Sequence, residues 1–173
     1  MNPDIPANQI LILGIGNYLM GDEGVGVHVA QNLASRKLPP GVDVLDGGTG
    51  GFHLMGIMEQ YPIIIMVDAS IDGQAAGTIR LIEPKFASDF PRAMSTHDVG
   101  LHDVIQALCV LDRLPQIYLV IVSVETLQPM EIRLSKPVAK AIEEVSDAIE
   151  TLMWDIWRED KQPTPGQKLE FAF

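Results

Sequence analysis

The feature that most constrains this chain is a junction. An apolar run, Ile10-Leu11-Ile12-Leu13-Gly14-Ile15-Gly16, leads to the turn Gly21-Asp22-Glu23-Gly24, and a helical pattern opens near Val25. A strand feeding a helix through a glycine-rich turn is the repeating unit of an open α/β sheet. Such a turn usually offers backbone N–H groups and a positive helix end to an anion. Here Asp22 and Glu23 stand in that place and would repel a pyrophosphate. Carboxylates at a strand's carboxyl end suit a cation, so the junction reads as part of a metal site on a nucleotide-binding-like scaffold.

The rest of the chain repeats the alternation. Strands are predicted at residues 9–15, 42–46, 63–68, 78–83 and 116–123, with β-branched and leucine content that suggests burial on both faces. Helices fit residues 25–37, 52–60, 99–111 and 137–158. In the last, Val138, Ala141, Ile142, Val145, Ile149, Leu152 and Ile156 recur at helical spacing, with Ser135 as the cap and Pro137 in the first turn. The turn 71–77 leads into the one strand expected to run antiparallel. The fold class is therefore α/β: a single-domain three-layer α/β/α sandwich over residues 1–160, around a mostly parallel five-stranded sheet. Residues 161–173, with Pro163, Pro165 and Gly166, are predicted to form a mobile tail.

Composition removes several function classes. A length of 173 residues with 47% hydrophobic content supplies one proper core. A net charge of −11 argues against nucleic acid, which needs a basic face. The apolar runs fall short of the roughly 20 residues that span a bilayer, so no membrane partner is expected. A single cysteine and an N-terminus without a basic start point to a reducing, cytoplasmic setting. The Gly14-Ile15-Gly16 start of a dinucleotide fingerprint fails at Leu19, and no Walker lysine, Gly-x-Ser-x-Gly elbow or His-Glu-x-x-His pair is present.

Ligands of open sheets sit beyond the carboxyl ends of the strands. There the first strand delivers Asp22 and Glu23, the second ends in Asp46 before Gly47-Gly48-Thr49-Gly50-Gly51, and the third ends in Asp68. Ser95-Thr96-His97-Asp98 enters the third helix, where the helix dipole would keep His97 neutral, as a metal ligand requires. Each has a plainer reading: Glu23 favours a helix N-terminus, Asp46 caps its turn, and Asp68 has a structural partner. His28, His53 and His102 are read as structural or surface residues, and Cys109 as core packing. Oxygen, oxygen and imidazole suit zinc, nickel or a similar divalent ion with coordination positions left open, and the pattern does not choose among them.

Taken in order, these motifs resemble a known family. Leu13-Gly14-Ile15-Gly16-Asn17, Gly21-Asp22-Glu23-Gly24-Val25-Gly26, Leu45-Asp46-Gly47-Gly48-Thr49-Gly50-Gly51 and Val67-Asp68-Ala69 are similar to stretches of the hydrogenase maturation endopeptidases. Ser95-Thr96-His97-Asp98-Val99-Gly100-Leu101 and Val124-Glu125-Thr126-Leu127-Gln128-Pro129 continue the likeness, which runs over roughly residues 10 to 150. The most similar branch processes large subunits of uptake-type NiFe-hydrogenases.

The resemblance implies an aspartyl-class endopeptidase that removes a C-terminal extension from the hydrogenase large-subunit precursor after nickel insertion. It implies that nickel, carried by the precursor, is recognised by Glu23, Asp68 and His97, with Asp46 a candidate for placing water or substrate. A non-enzymatic nickel-sensing chaperone would keep the same ligands and release the precursor uncut.

Overall fold

The computed structural model describes residues 9–90 and 98–161, with the backbone alone for 98–100 and 159–161. Five strands form one sheet: β1 (Ile10–Gly14), β2 (Val42–Asp46), β3 (Ile63–Ser70), β4 (Ile79–Ile82) and β5 (Gln116–Ser123). Their order is β2-β1-β3-β5-β4. The pairs β1–β2, β1–β3 and β3–β5 are parallel, and β4 pairs antiparallel with β5. The mostly parallel five-stranded sheet and its one antiparallel strand are as the sequence predicts.

Side chains alternate across the central strands, as a period of two requires. Ile10, Ile12, Ile65, Val67, Tyr118, Val120 and Val122 face one core, covered by α1 (Val25–Ala34) and α4 (Lys136–Lys161). Leu11, Leu13, Ile64, Met66, Leu119 and Ile121 face the other, covered by α2 (Met55–Met58) and α3 (Asp98–Val110). Full burial on both faces holds for β1, β3 and most of β5. It does not hold for β2 and β4. These are the sheet's edges, and Asp43 and Asp46 of β2 are exposed.

The helix predicted at 137–158 is α4, three residues longer at its C-terminal end. Val138, Ala141, Val145, Ile149, Leu152 and Ile156 are its buried stripe, while Ile142 is partly buried. Arg36, just past the end of α1, ties the two helices together through Glu143, Asp147 (2.7 Å) and Glu150 (2.9 Å), and the Asp147 and Glu150 carboxylates push its pKa further up. The predicted cap at Ser135 takes another form. Its Oγ has no hydrogen-bond partner among the described residues, and its N–H instead donates to Asp22 Oδ1 (2.6 Å). Among the described residues no helix is long and apolar enough to cross a membrane. Of the tail expected over 161–173, Lys161 instead ends α4, and the rest lies outside the described residues.

Connection order places the site. β1 leads through α1 to β2 on one side, while β3 lies on the other, so the winding reverses between β1 and β3. The crevice at the carboxyl ends of these two strands is the switch point where open sheets bind ligands.

Candidate functional site at the carboxyl rim

The turn Gly21–Gly24 is a single 3-10 turn leading directly into α1. It is pressed onto the switch point by two close approaches that a side chain would block. At Gly16, whose φ is 141°, a Cβ would lie 2.0 Å from the Glu23 carbonyl oxygen. At Gly26 it would lie 2.2 Å from the Ile15 carbonyl and 2.3 Å from that of Val67, the residue before Asp68. The Ile15 N–H donates to Val67 O (2.8 Å) and the Gly16 N–H to Gly48 O (2.7 Å), so the end of β1 is bonded to β3 and to the loop after β2.

Glu23 and Asp68 are both completely buried, with 0% exposure each. Asp68 does not end its strand as the sequence suggested. β3 continues to Ser70 because pairing with β5 runs on through Asp68–Ile121, Ala69–Val122 and Ser70–Ser123. Asp68 therefore stands two residues inside the strand, and its Oδ1 accepts the N–H of Ala69 (2.7 Å). By alternation with Val67 and Ala69 it belongs to the sheet face covered by α2 and α3. Burying two carboxylates at one rim is costly unless each is hydrogen-bonded or paired.

The two other acids of the rim behave differently. Asp22, read with Glu23 as a displayed pair, is turned into the structure at 2% exposure. Its carboxylate accepts from Ser135 N–H (2.6 Å) and Gln128 Nε2 (3.3 Å), and its own N–H donates to Gln128 Oε1 (2.8 Å). The Gly21 N–H donates to Glu131 O (2.6 Å) and that of Gln128 to Met20 O (3.3 Å). Asp22 thus fastens the segment after β5 to the Glu23 turn. Asp46 is exposed, and its Oδ1 accepts the Gly48 N–H (2.9 Å), the turn-capping geometry.

Beyond Asp68 the same rim carries a second polar group. Ser123 Oγ donates to Asp72 Oδ2 (3.0 Å), and Arg80 pairs with Asp72. Burial pushes the Asp72 carboxyl up, but hydrogen bonds from Gln74 and Ser123 and the Arg80 charge outweigh it, leaving a pKa below the usual value.

His97 lies outside the described residues, and α3 starts one residue after it, at Asp98. Among the described residues no three histidine, cysteine or acidic side chains form a metal-holding group. His28 stacks on Tyr18, with ring centroids 4.8 Å apart, and its Nε2 is 3.2 Å from Ile132 O. Burial lowers its pKa against the opposing effect of that carbonyl. His53 and His102 are exposed, and Cys109 packs partly buried against the α3 core.

Sequence alone assigns Gln128 no role beyond its place in the motif at 124–129, and it does not single out Met130. Gln128-Pro129-Met130-Glu131 is a turn closed by the Glu131 N–H on Gln128 O (3.2 Å). Pro129 is second and Met130 third, with φ 63°. Turns with positive φ at the third position normally carry Gly or Asn there, and a methionine costs about 1–2 kcal/mol. The Pro129 signal was legible; the strained methionine was not.

Residues 27–152 match a family model, HycI, described as hydrogenase maturation protease. The chain is 37% identical over 125 residues to hydrogenase expression/formation protein HupD of Bradyrhizobium diazoefficiens, covering 69% of this chain and 64% of that protein. It thus spans a little under two thirds of that relative's length. It is 38% identical over 125 residues to the hydrogenase 2 maturation protease of Escherichia coli, covering 70% and 76%. The solved structure of the hydrogenase maturating endopeptidase HybD from E. coli superimposes with a TM-score of 0.77 at 34% identity, over 85% of this chain and 93% of that one. For the hydrogenase maturation protease HycI of Thermococcus kodakarensis the TM-score is 0.70 at 25% identity, over 85% and 93%. By sequence and by fold, the chain belongs to the hydrogenase maturation protease family.

Proposed function

We propose that this protein is the endopeptidase that removes the C-terminal extension of a NiFe-hydrogenase large-subunit precursor once nickel has been inserted. The observation that carries the reading is the pair of fully buried carboxylates, Glu23 and Asp68, at the β1–β3 switch point of a chain in this family. With the His97 imidazole they make a donor set suited to a borderline divalent ion. Three protein ligands leave positions that the precursor's own ligands fill, so the metal arrives as part of the substrate and reports that insertion is finished.

Glu23, Asp68 and His97 would hold the divalent ion, which would supply polarisation of the scissile carbonyl or activation of water. Water adds across the peptide bond and the extension leaves as a free peptide. Asp46, at the exposed end of β2, is the candidate for placing that water or the incoming strand.

Incubating the purified protein with nickel-loaded and nickel-free precursor, followed by intact-mass measurement, tests the reading. The expected result is loss of a short C-terminal fragment from the loaded form alone. A stable complex with the loaded precursor at unchanged mass would instead make the protein a nickel-sensing chaperone.

A further inference from the structure

We infer that Gln128 is a positioning residue for metal recognition. Its side-chain amide, 106 residues from Asp22 in the chain, clamps Asp22 and so fixes where the Glu23 carboxylate stands at the rim. This rests on the function proposed above and deepens it.

The turn that carries Glu23 has no cap of its own. The first N–H groups of a helical turn lack partners within it, and neither Gly21–Gly24 nor α1 has a side-chain cap. The Glu23 N–H reaches Met20 O at 3.4 Å, long for a hydrogen bond. Gln128 supplies what is missing. Its Oε1 accepts the Asp22 N–H (2.8 Å), its Nε2 donates to Asp22 Oδ2 (3.3 Å), and its own N–H donates to Met20 O (3.3 Å). One amide thus grips the residue before Glu23 by both backbone and side chain. A Cβ at Gly21 would lie 2.1 Å from Gln128 Oε1, so the clamp is closed tightly enough to need glycine there.

The amide is itself held in one orientation. Nε2 also donates to Thr126 O (2.9 Å) and Thr126 Oγ1 (3.2 Å), which leaves Oε1 facing the Asp22 N–H. The turn 128–131 closes by the Glu131 N–H on Gln128 O, and Glu131 O accepts the Gly21 N–H. Both ends of that turn bear on the Glu23 turn, with the strained Met130 between them.

Groups that orient a metal ligand are worth about 10- to 100-fold in affinity or activity. Glu23 follows Asp22 directly, so drift of the Asp22 backbone moves the Glu23 carboxylate. A purely structural Gln128 would instead lower the melting temperature and leave recognition of the metal unchanged.

Calorimetry with the precursor, at a temperature where circular dichroism shows each variant folded, separates the two. Gln128→Ala should weaken binding of the nickel-loaded precursor about tenfold and leave the nickel-free precursor within about twofold. In a Glu23→Gln background the same change should cost less than about twofold, because the group through which Gln128 acts is already gone. Gln128→Glu sets one carboxylate against another and should weaken binding as much. Adding Asp22→Asn reverses donor and acceptor across the pair, keeps the acceptor for Ser135 N–H, and should restore most of the loss.

An equal loss with and without the Glu23 carboxylate would overturn the positioning role, and so would a lower melting temperature with unchanged affinities. Should Gln128→Ala fail to fold, the paired exchange decides, and absence of rescue overturns the role. A parent protein that binds the loaded precursor without cutting it would sink the proposed protease function alone, since these affinities still read Gln128. Equal affinity of the parent for both precursors would sink the metal-reading part of that function. The same cycle run on cleavage rates would then decide Gln128, a loss that persists beside Glu23→Gln overturning it.

Discussion

The loops after β1 and β2 look alike in sequence, each a glycine-rich turn with an acid at the end of a parallel strand. Their fates differ. Glu23, after the interior strand β1, is completely buried, whereas Asp46, at the end of the edge strand β2, is exposed and caps its own turn. The position of a strand in the sheet, rather than the loop motif, decides whether its acid is forced out of water. A carboxylate already out of water gives up less hydration when a cation reaches it, and of these two acids only Glu23 is in that position.

The largest effect that comparison predicts is at Glu23. Glu23→Gln keeps the shape of the side chain and removes the charge, so the protein should stay folded by circular dichroism while processing falls by on the order of 100-fold or more, as for a lost metal contact. Global unfolding of the variant would move Glu23 into the structural class. Its neighbour should fail for the opposite reason. Asp22→Ala strips the acceptor from Ser135 N–H and one of the acceptors of Gln128 Nε2, which keeps Thr126 O, and should cost about 2 kcal/mol in denaturant unfolding. A neutral Asp22→Ala would mean that the segment after β5 is held by other bonds.

The exposed loop should respond less. Asp46→Asn retains the acceptor for Gly48 N–H, so stability should not change, and processing should fall by no more than about tenfold. A loss as deep as that of Glu23→Gln would erase the contrast and make Asp46 the general base.

Much of this was legible from the residues. Uninterrupted apolar runs such as Ile63 to Val67 mark interior strands, and the 3-4 spacing from Val138 to Ile156 marks α4. The extension of β3 past Asp68 was not, because Ser70 is a polar residue whose burial follows from pairing with Ser123 across the sheet. Nor was the role of Asp22, whose partners Gln128 and Ser135 lie 106 and 113 residues away. Glu23 and Asp22 are adjacent and chemically alike: the resemblance picked out Glu23 as the ligand candidate, but only the tertiary contacts show Asp22 as the fastener.

Two smaller effects sharpen the boundary between site and scaffold. Cys109→Ala should keep full activity at a cost of about 1 kcal/mol, since the side chain only packs against the α3 core. Abolished cleavage in a folded variant would restore a thiol mechanism. Burial holds the folded-state pKa of His28 below its ordinary 6.5. The sign follows: its contribution is fully present above pH 6.5 and is lost as pH falls below that value through the lowered folded pKa. The melting temperature should drop over that window, and His28→Gln should flatten part of the slope.

The most direct test crosses the protein with its substrate: cleavage rates of the parent and of Glu23→Gln, each on nickel-loaded and nickel-free precursor. If the buried acids of the interior loop read the metal, the parent cuts only the loaded precursor and Glu23→Gln cuts neither. Equal rates for the parent on both precursors would contradict the account and leave the rim as an ordinary hydrolytic site.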